Sequence, residues 1–325
     1  LRLRRTLENA LERFGRLSLP ITRTTIQHAI QKTGILSLRF GRRTIQKMLN
    51  GLGLLYSRQG DGRMVSPDGN YESAWLGITA LALLAELRYY RATGDNRFAE
   101  LRKQGLRGLL GLRLPGAGFR AAPHYTAEEH YFNGEGWLAL AIYADTFPND
   151  RATNKVLQRL DKYLVARYSG HWNKRFYSWG TMAAELRYRT TRDTKFFQFI
   201  ATQARQFLAR LKDRTKKESR INCAQLEGLG SALRVLSANS GSHDQHLTRN
   251  LRQRISQAMV ENRKLQIRPG QDRIALSGNA YLWTPLLTNY TGAFLGGPTD
   301  PVTQIDHTAH CLSAMMILEG SANPQ

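Results

Sequence analysis

Cysteine is almost missing from this chain: 325 residues carry two, Cys223 and Cys311. Two are too few for a disulfide framework. They leave three readings open: one bridge, two inert buried thiols, or a pair of metal ligands. No apolar run reaches the length of about 18 residues that a transmembrane helix needs. The motifs that announce nucleotide, dinucleotide, zinc-protease or serine-hydrolase chemistry are missing too, since there is no Walker loop, Rossmann fingerprint, HExxH or GxSxG. Acid is also in short supply, with 25 Asp and Glu against 47 Lys and Arg.

That shortage leaves a formal net charge of +22 and a pI near 10.5. Such a field attracts polyanions, whether acidic glycan, nucleic acid or an anionic membrane surface, and does not choose among them. The rest of the composition is ordinary for a globular protein with a real core, at 42% hydrophobic and 22% charged residues. The length suits one large domain or two modest ones. A start at Leu1 rather than methionine leaves room for a preceding segment such as a signal peptide, and a periplasmic or cell-envelope location is the leading expectation.

The first 66 residues read as a basic helical segment, and 67–325 as the main domain. Residues 1–50 hold eleven Lys and Arg against Glu8 and Glu12. Thr25-Ile26-Gln27 leading to Gly34-Ile35-Leu36 is echoed by Thr44-Ile45-Gln46 leading to Gly53-Leu54-Leu55. Each copy reads as a short helix ended by glycine. Such a pair serves either as a DNA-reading helix-turn-helix or as a solvated cap on the main domain. Tyr56–Ser66, with Gly60-Asp61-Gly62 at its centre, reads as a hairpin or loop.

From Tyr71 onward a rhythm repeats. Apolar helices are expected at Ala74–Tyr90, Gly136–Asp145, Trp179–Arg189, Cys223–Leu236 and His307–Leu318. Between them come amphipathic helices at Arg97–Leu112, Ala152–Tyr168, Lys195–Leu211 and Asp244–Arg263. A helix apolar on every side must be buried, and one with a charged face belongs in an outer layer. Repeated apolar-then-amphipathic hairpins mark a repeat architecture, and apolar inner helices favour a closed ring over an open superhelix.

With turns such as Thr93-Gly94-Asp95-Asn96-Arg97-Phe98, this rhythm resembles the (α/α) toroid superfamily over roughly residues 70–320. That superfamily includes six-hairpin glycosidases, unsaturated uronyl hydrolases and sugar epimerases, with lanthionine and terpenoid cyclases further off. The resemblance implies an all-α ring of helical hairpins. Five hairpins are visible, so a sixth must come from residues 1–55 or the ring is incomplete.

In such a ring the inner helices all begin at one end, and the long loops 113–133, 169–177, 212–222 and 264–305 gather there. Long loops among short turns are where binding function tends to live. The stretch His130-Tyr131-Phe132-Asn133-Gly134-Glu135-Gly136-Trp137 stands just ahead of the second apolar helix. It makes His130, Tyr131, Asn133 and Trp137 candidate substrate-binding residues. Tyr177, Trp179, Gln225 and His307 hold comparable places. Aromatic faces stack on pyranose rings, amides and imidazoles fix hydroxyls, and two carboxyl groups supply general acid and base. Glu135 and Asp306 form the first catalytic pair, with Glu72, Glu227 and His310 behind them. Each acid has an equally simple role as a helix cap or dipole partner.

Asp306-His307-Thr308-Ala309-His310-Cys311 carries three further readings. Asp306 lies beside His310 on a helix and would orient it as a base. Alternatively, Cys223, His310 and Cys311 would hold zinc with one open position. That set resembles the zinc site of the lanthionine cyclases, although those carry Cys-His where this chain has His310-Cys311. The third reading is core packing. No other residues point to a cofactor.

The resemblance and these entrances together imply a carbohydrate-active toroid acting on an acidic saccharide or polysaccharide, by cleavage or epimerisation. A non-catalytic subunit of a cell-envelope assembly, binding an anionic polymer or a protein partner, is the second reading. A zinc-dependent cyclase-like enzyme is the third.

Overall fold

The computed structural model describes residues 46, 49–51, 56–59, 62–66, 70–212, 220–239, 244–303 and 305–322. The paired basic helices expected at 1–55 therefore lie outside the described residues, apart from positions 46 and 49–51. Gln46 Nε2 donates to the Tyr89 hydroxyl at 2.7 Å, and Leu49 is buried.

The hairpin expected around Gly60-Asp61-Gly62 is present. Strand β1 (Tyr56–Gln59) pairs antiparallel with β2 (Gly62–Val65), with Ser57 opposite Met64. Nine helices follow among the described residues. They are α1 (Leu76–Thr93), α2 (Ala99–Gly111), α3 (His130–Thr146), α4 (Arg151–Ser169), α5 (Lys174–Thr191), α6 (Thr194–Lys212), α7 (Cys223–Ala238), α8 (Gln245–Arg263) and α9 (Ile305–Ala322). The odd-numbered helices pack on one another in chain order, α1 on α3, α3 on α5, α5 on α7 and α7 on α9. Each even-numbered helix backs the inner helix before it. The fold class is all-α, an (α/α) toroid of helical hairpins.

Inner helices α1, α3 and α7 are buried on nearly every side, and α5 and α9 over a narrower face. In α1, thirteen residues from Leu76 to Tyr89 are buried. Two expected helix starts were too late. α3 begins at His130 rather than Gly136, because Glu129 caps it by accepting from Tyr131 N. α5 begins at Lys174 rather than Trp179, because the Asn173 side chain accepts from the backbone of Arg175 and Phe176. The polar residues read as an entrance thus occupy the first turns of buried helices.

The turn between α1 and α2 recurs between α5 and α6 with the same hydrogen bonds. Thr93 Oγ1 accepts from Asp95 N, and Asp95 Oδ1 accepts from Arg97 N. Thr191, Asp193 and Lys195 repeat this. Both turns place a left-handed residue between Thr and Asp, Gly94 in one (φ 69°) and Arg192 in the other (φ 57°).

Buried ion pairs join the layers. Arg102 of α2 meets Glu86 of α1 at 2.7 Å, its guanidinium over the rings of Tyr90 and Phe147. Asp161 of α4 takes two bonds from Arg187 of α5, at 3.0 and 2.8 Å, and one from Trp137 Nε1 of α3 at 2.7 Å. One carboxylate thereby ties three helices.

The loop before α9 carries structure of its own. β3 (Arg273–Ala275) pairs with β4 (Tyr281–Trp283), and β5 (Leu295–Gly297) pairs with β6 (Asp300–Thr303). Leu265, Ile267, Ile274, Leu287 and Leu295 form a small separate core beneath them.

Asp161→Ala should therefore cost about 3–5 kcal/mol, since it strands a buried guanidinium and an indole N–H. Urea unfolding measures it. A loss no larger than that of an exposed control such as Lys155→Ala, within about 0.5 kcal/mol of wild type, would show that Asp161 does not tie the layers.

Candidate active site

At the N-terminal end of the inner helices, side chains from three of them converge. Glu135 (α3) and Glu227 (α7) are buried, His310 (α9) meets Glu227, and Asp306 (α9) and Glu135 are near enough for their charges to act on the His310 ring. His310 Nδ1 donates to Glu227 Oε2 at 2.6 Å. The imidazole keeps 12% of its side-chain surface exposed while Glu227 keeps 2%, so the histidine is the member reachable from outside. Trp179 of α5 lies edge-on to the His310 ring at 6.0 Å.

Burial by itself would lower the His310 pKa. The charge and hydrogen bond of Glu227, with the charges of Asp306 and Glu135, outweigh it and raise the pKa above the ordinary imidazole value. Tyr131 of α3 completes the group, near Trp179. Burial, then the charges of Glu135, Glu227 and Asp306, hold its hydroxyl firmly protonated.

Glycines make the room. A Cβ on Gly77 of α1 would run into the Glu135 carboxylate and the Phe132 ring. One on Gly134 would meet Trp179 Cβ and the backbone of α5. α3 is therefore pressed between α1 and α5 at the height of Glu135. Gly77 was not anticipated from the sequence. Neither was the aromatic rim above it, where the half-exposed Tyr125 lies 5.8 Å from Trp75, and Trp75 lies 5.9 Å from Phe132. In the structure Trp75 stands at the cap position directly ahead of α1.

The structure brings together Glu135, Glu227, Asp306, His310, Tyr131 and Trp179 from the expected set. The remaining candidates are placed elsewhere. Asn133 Nδ2 donates to the Tyr168 hydroxyl at 3.0 Å, which donates to His130 Nδ1 at 2.6 Å, so both residues face α4. Asn133 Oδ1 also accepts from Phe119 N at 2.6 Å and latches the loop. Trp137 is fully buried on Asp161. Tyr177 stacks on Phe207 at 4.8 Å in the core. Gln225 forms a capping box with Asn222. Glu72 is exposed on a short 3₁₀ turn. His307 lies against Gly296 of β5.

Two expectations about α9 are corrected. Glu227, not Asp306, orients His310, because Glu227 reaches Nδ1 from the neighbouring helix while Asp306 Oδ1 accepts from the backbone of His307. Cys223 and Cys311 are joined in a disulfide between α7 and α9. That bond removes both thiolates from the zinc set of Cys223, His310 and Cys311. Among the described residues no group of three His, Cys, Asp or Glu could hold a metal ion.

In Glu227→Gln the His310 midpoint should fall below its wild-type value, read from the imidazole C–H shifts in an NMR titration. A pKa raised by folding also makes the imidazolium stabilising. Its contribution is complete below about pH 6.5 and fades as pH rises through the native midpoint. An unchanged midpoint in the variant would refute the pairing. Separately, Gly77→Ala should cost about 1–3 kcal/mol by overpacking. Thermal unfolding tests this, and a wild-type midpoint would mean that Glu135 can move aside freely.

No protein-family model matches the sequence, and no curated protein does. Among solved structures, the chain is similar to a GH76 α-mannanase from Bacteroides thetaiotaomicron, with a TM-score of 0.59 over 90% of this chain and 83% of that one, at 9% identity. At that identity the likeness establishes the (α/α) toroid fold and leaves the reaction to be argued from the site.

Proposed function

We propose that this protein cleaves a glycosidic bond in an acidic saccharide chain, using carboxylate and histidine acid–base chemistry at the Glu135, Glu227, Asp306 and His310 cluster. The observation that carries the reading is the convergence of these four groups, from three separate inner helices, beneath an aromatic rim. His310, whose affinity for a proton Glu227 raises, is the natural proton donor to a leaving oxygen. Asp306 and Glu135 supply the carboxylates.

The balance of charge favours cleavage over epimerisation. Three carboxyl groups surround one imidazole, so the site favours positive charge developing in the transition state, as in an oxocarbenium-like species. Proton abstraction beside a uronate carboxylate would build negative charge there instead, which the same groups oppose. The acidic character of the chain is read from the surface, where a net charge of +22 holds a polyanion without requiring its carboxylates to enter the pocket. The disulfide supports an oxidising compartment such as the cell envelope. No helix among the described residues is long and apolar enough to cross a membrane.

The test is release of reducing ends from acidic and neutral polysaccharides by the wild type, Glu135→Gln and Asp306→Asn. We expect wild-type turnover on an acidic polymer, with a loss of about 10²–10⁴-fold in each variant and binding retained. Activity should also fall as pH rises through the His310 midpoint, where the proton donor is lost. Equal binding by all three proteins with turnover by none would refute the catalytic reading, and would favour a binding subunit of an envelope assembly.

A further inference from the structure

Away from the acidic cluster, the described residues show one concentrated exposure of large apolar side chains. Tyr281 is 62% exposed and Trp283 67%, with Leu286 at 60% and Tyr290 at 54% on the segment that follows. Large exposed apolar groups gathered in one place commonly mark a binding surface.

The hairpin geometry gives this patch a definite form. Residues two apart on a strand point to the same side, so Tyr281 and Trp283 share one face of β4, about 7 Å apart along the strand. Their partners across the ladder are Ala275 and Arg273, which share that face. Ile274 and Leu282, on the opposite side, pack into the small core beneath the loop. The outer face is therefore a shelf carrying two rings and an arginine, with the Arg273 guanidinium over the Tyr281 ring at 6.0 Å from its centre.

The shelf belongs to the end of the molecule that holds the acidic cluster. Its loop leads directly into α9, where Asp306 and His310 occupy the first two turns. The neighbouring strand β5 is fastened to that helix by Phe294 N donating to Thr308 Oγ1 at 3.1 Å. Leu295 N donates to Leu265 O, Ile267 N donates to Ala293 O and Ser277 N donates to Pro298 O, so backbone hydrogen bonds and the small core hold the hairpins together.

We propose that Tyr281 and Trp283, with Arg273, form a second carbohydrate site, a platform that holds an acidic saccharide chain outside the cleavage pocket. The apolar C–H faces of pyranose rings fit exposed aromatic side chains such as Tyr281 and Trp283, which the strand sets about 7 Å apart. Arg273 supplies the charge that matches a uronate carboxylate. The choice of a saccharide as occupant rests on the function proposed above.

The test uses the full chain in affinity electrophoresis through gels containing polygalacturonate, alginate or mannan. Wild type is compared with Glu135→Gln and with the double variant Tyr281→Ala/Trp283→Ala. Both replaced rings are exposed, and circular dichroism checks that the double variant is folded. We expect polygalacturonate or alginate to retard wild type and Glu135→Gln alike, with retardation weakened on the order of tenfold in the double variant. Unchanged retardation in the double variant overturns the platform, as does retardation of no protein by any of the three polymers. Sedimentation that shows a wild-type dimer and a monomeric double variant also overturns it, since a second copy would then be the occupant. Ring-dependent retardation without turnover of any polymer leaves the platform standing and removes the cleavage reading. Turnover with ring-independent retardation does the reverse.

Discussion

The close approach of α3 to its two neighbours governs both the packing of this protein and its chemistry. Gly134 lets the backbone of α5 come against α3 at Trp179 and Gly180, and Gly77 leaves space for the Glu135 carboxylate against α1. Side chains at either place would push the helices apart. The ring would widen there, and the acidic cluster would lose its shared centre. Protein interiors transmit such displacements because they are packed nearly as tightly as crystals.

Two cross-links hold the other side of the cluster. Cys223 and Cys311 join α7 to α9, and Glu227 and His310 join the same two helices. On α7 the residues are four apart and lie on one face. A covalent link thus restricts the freedom of the pair that sets the imidazole charge. Elsewhere Asp161, Glu86 and Glu185 perform a comparable task with arginines. Among the described residues, buried acids are therefore either partnered by arginine in the wall or gathered in the cluster around His310.

The helical rhythm was legible because burial on all sides leaves its mark on composition, and five inner helices and four outer ones could be read without any motif. The site was legible only in part, for a geometric reason. Tyr131 and Glu135 are four residues apart and face the ring interior, while Asn133 and Trp137, also four apart, face α4. Successive residues on a helix turn by about 100°, so residues two apart point to opposite sides. Had the helix start been placed at the Glu129 cap, that alternation would have divided the list correctly. The same spacing sets Asp306 and His310 at the cluster and sends His307 to Gly296.

From the sequence alone came the alternation of buried and surface helices, the tight turns, the basic surface and the end of the ring where polar groups collect. These are local properties, set by periodicity, capping and composition, and each is readable within a few turns of chain. Tertiary structure decided which acid meets His310, that the two cysteines bond to each other, and which aromatic side chains are left facing water. Such facts depend on how helices 80 or more residues apart are rotated and set against each other. No local pattern encodes that rotation, because it emerges from the packing of every layer at once.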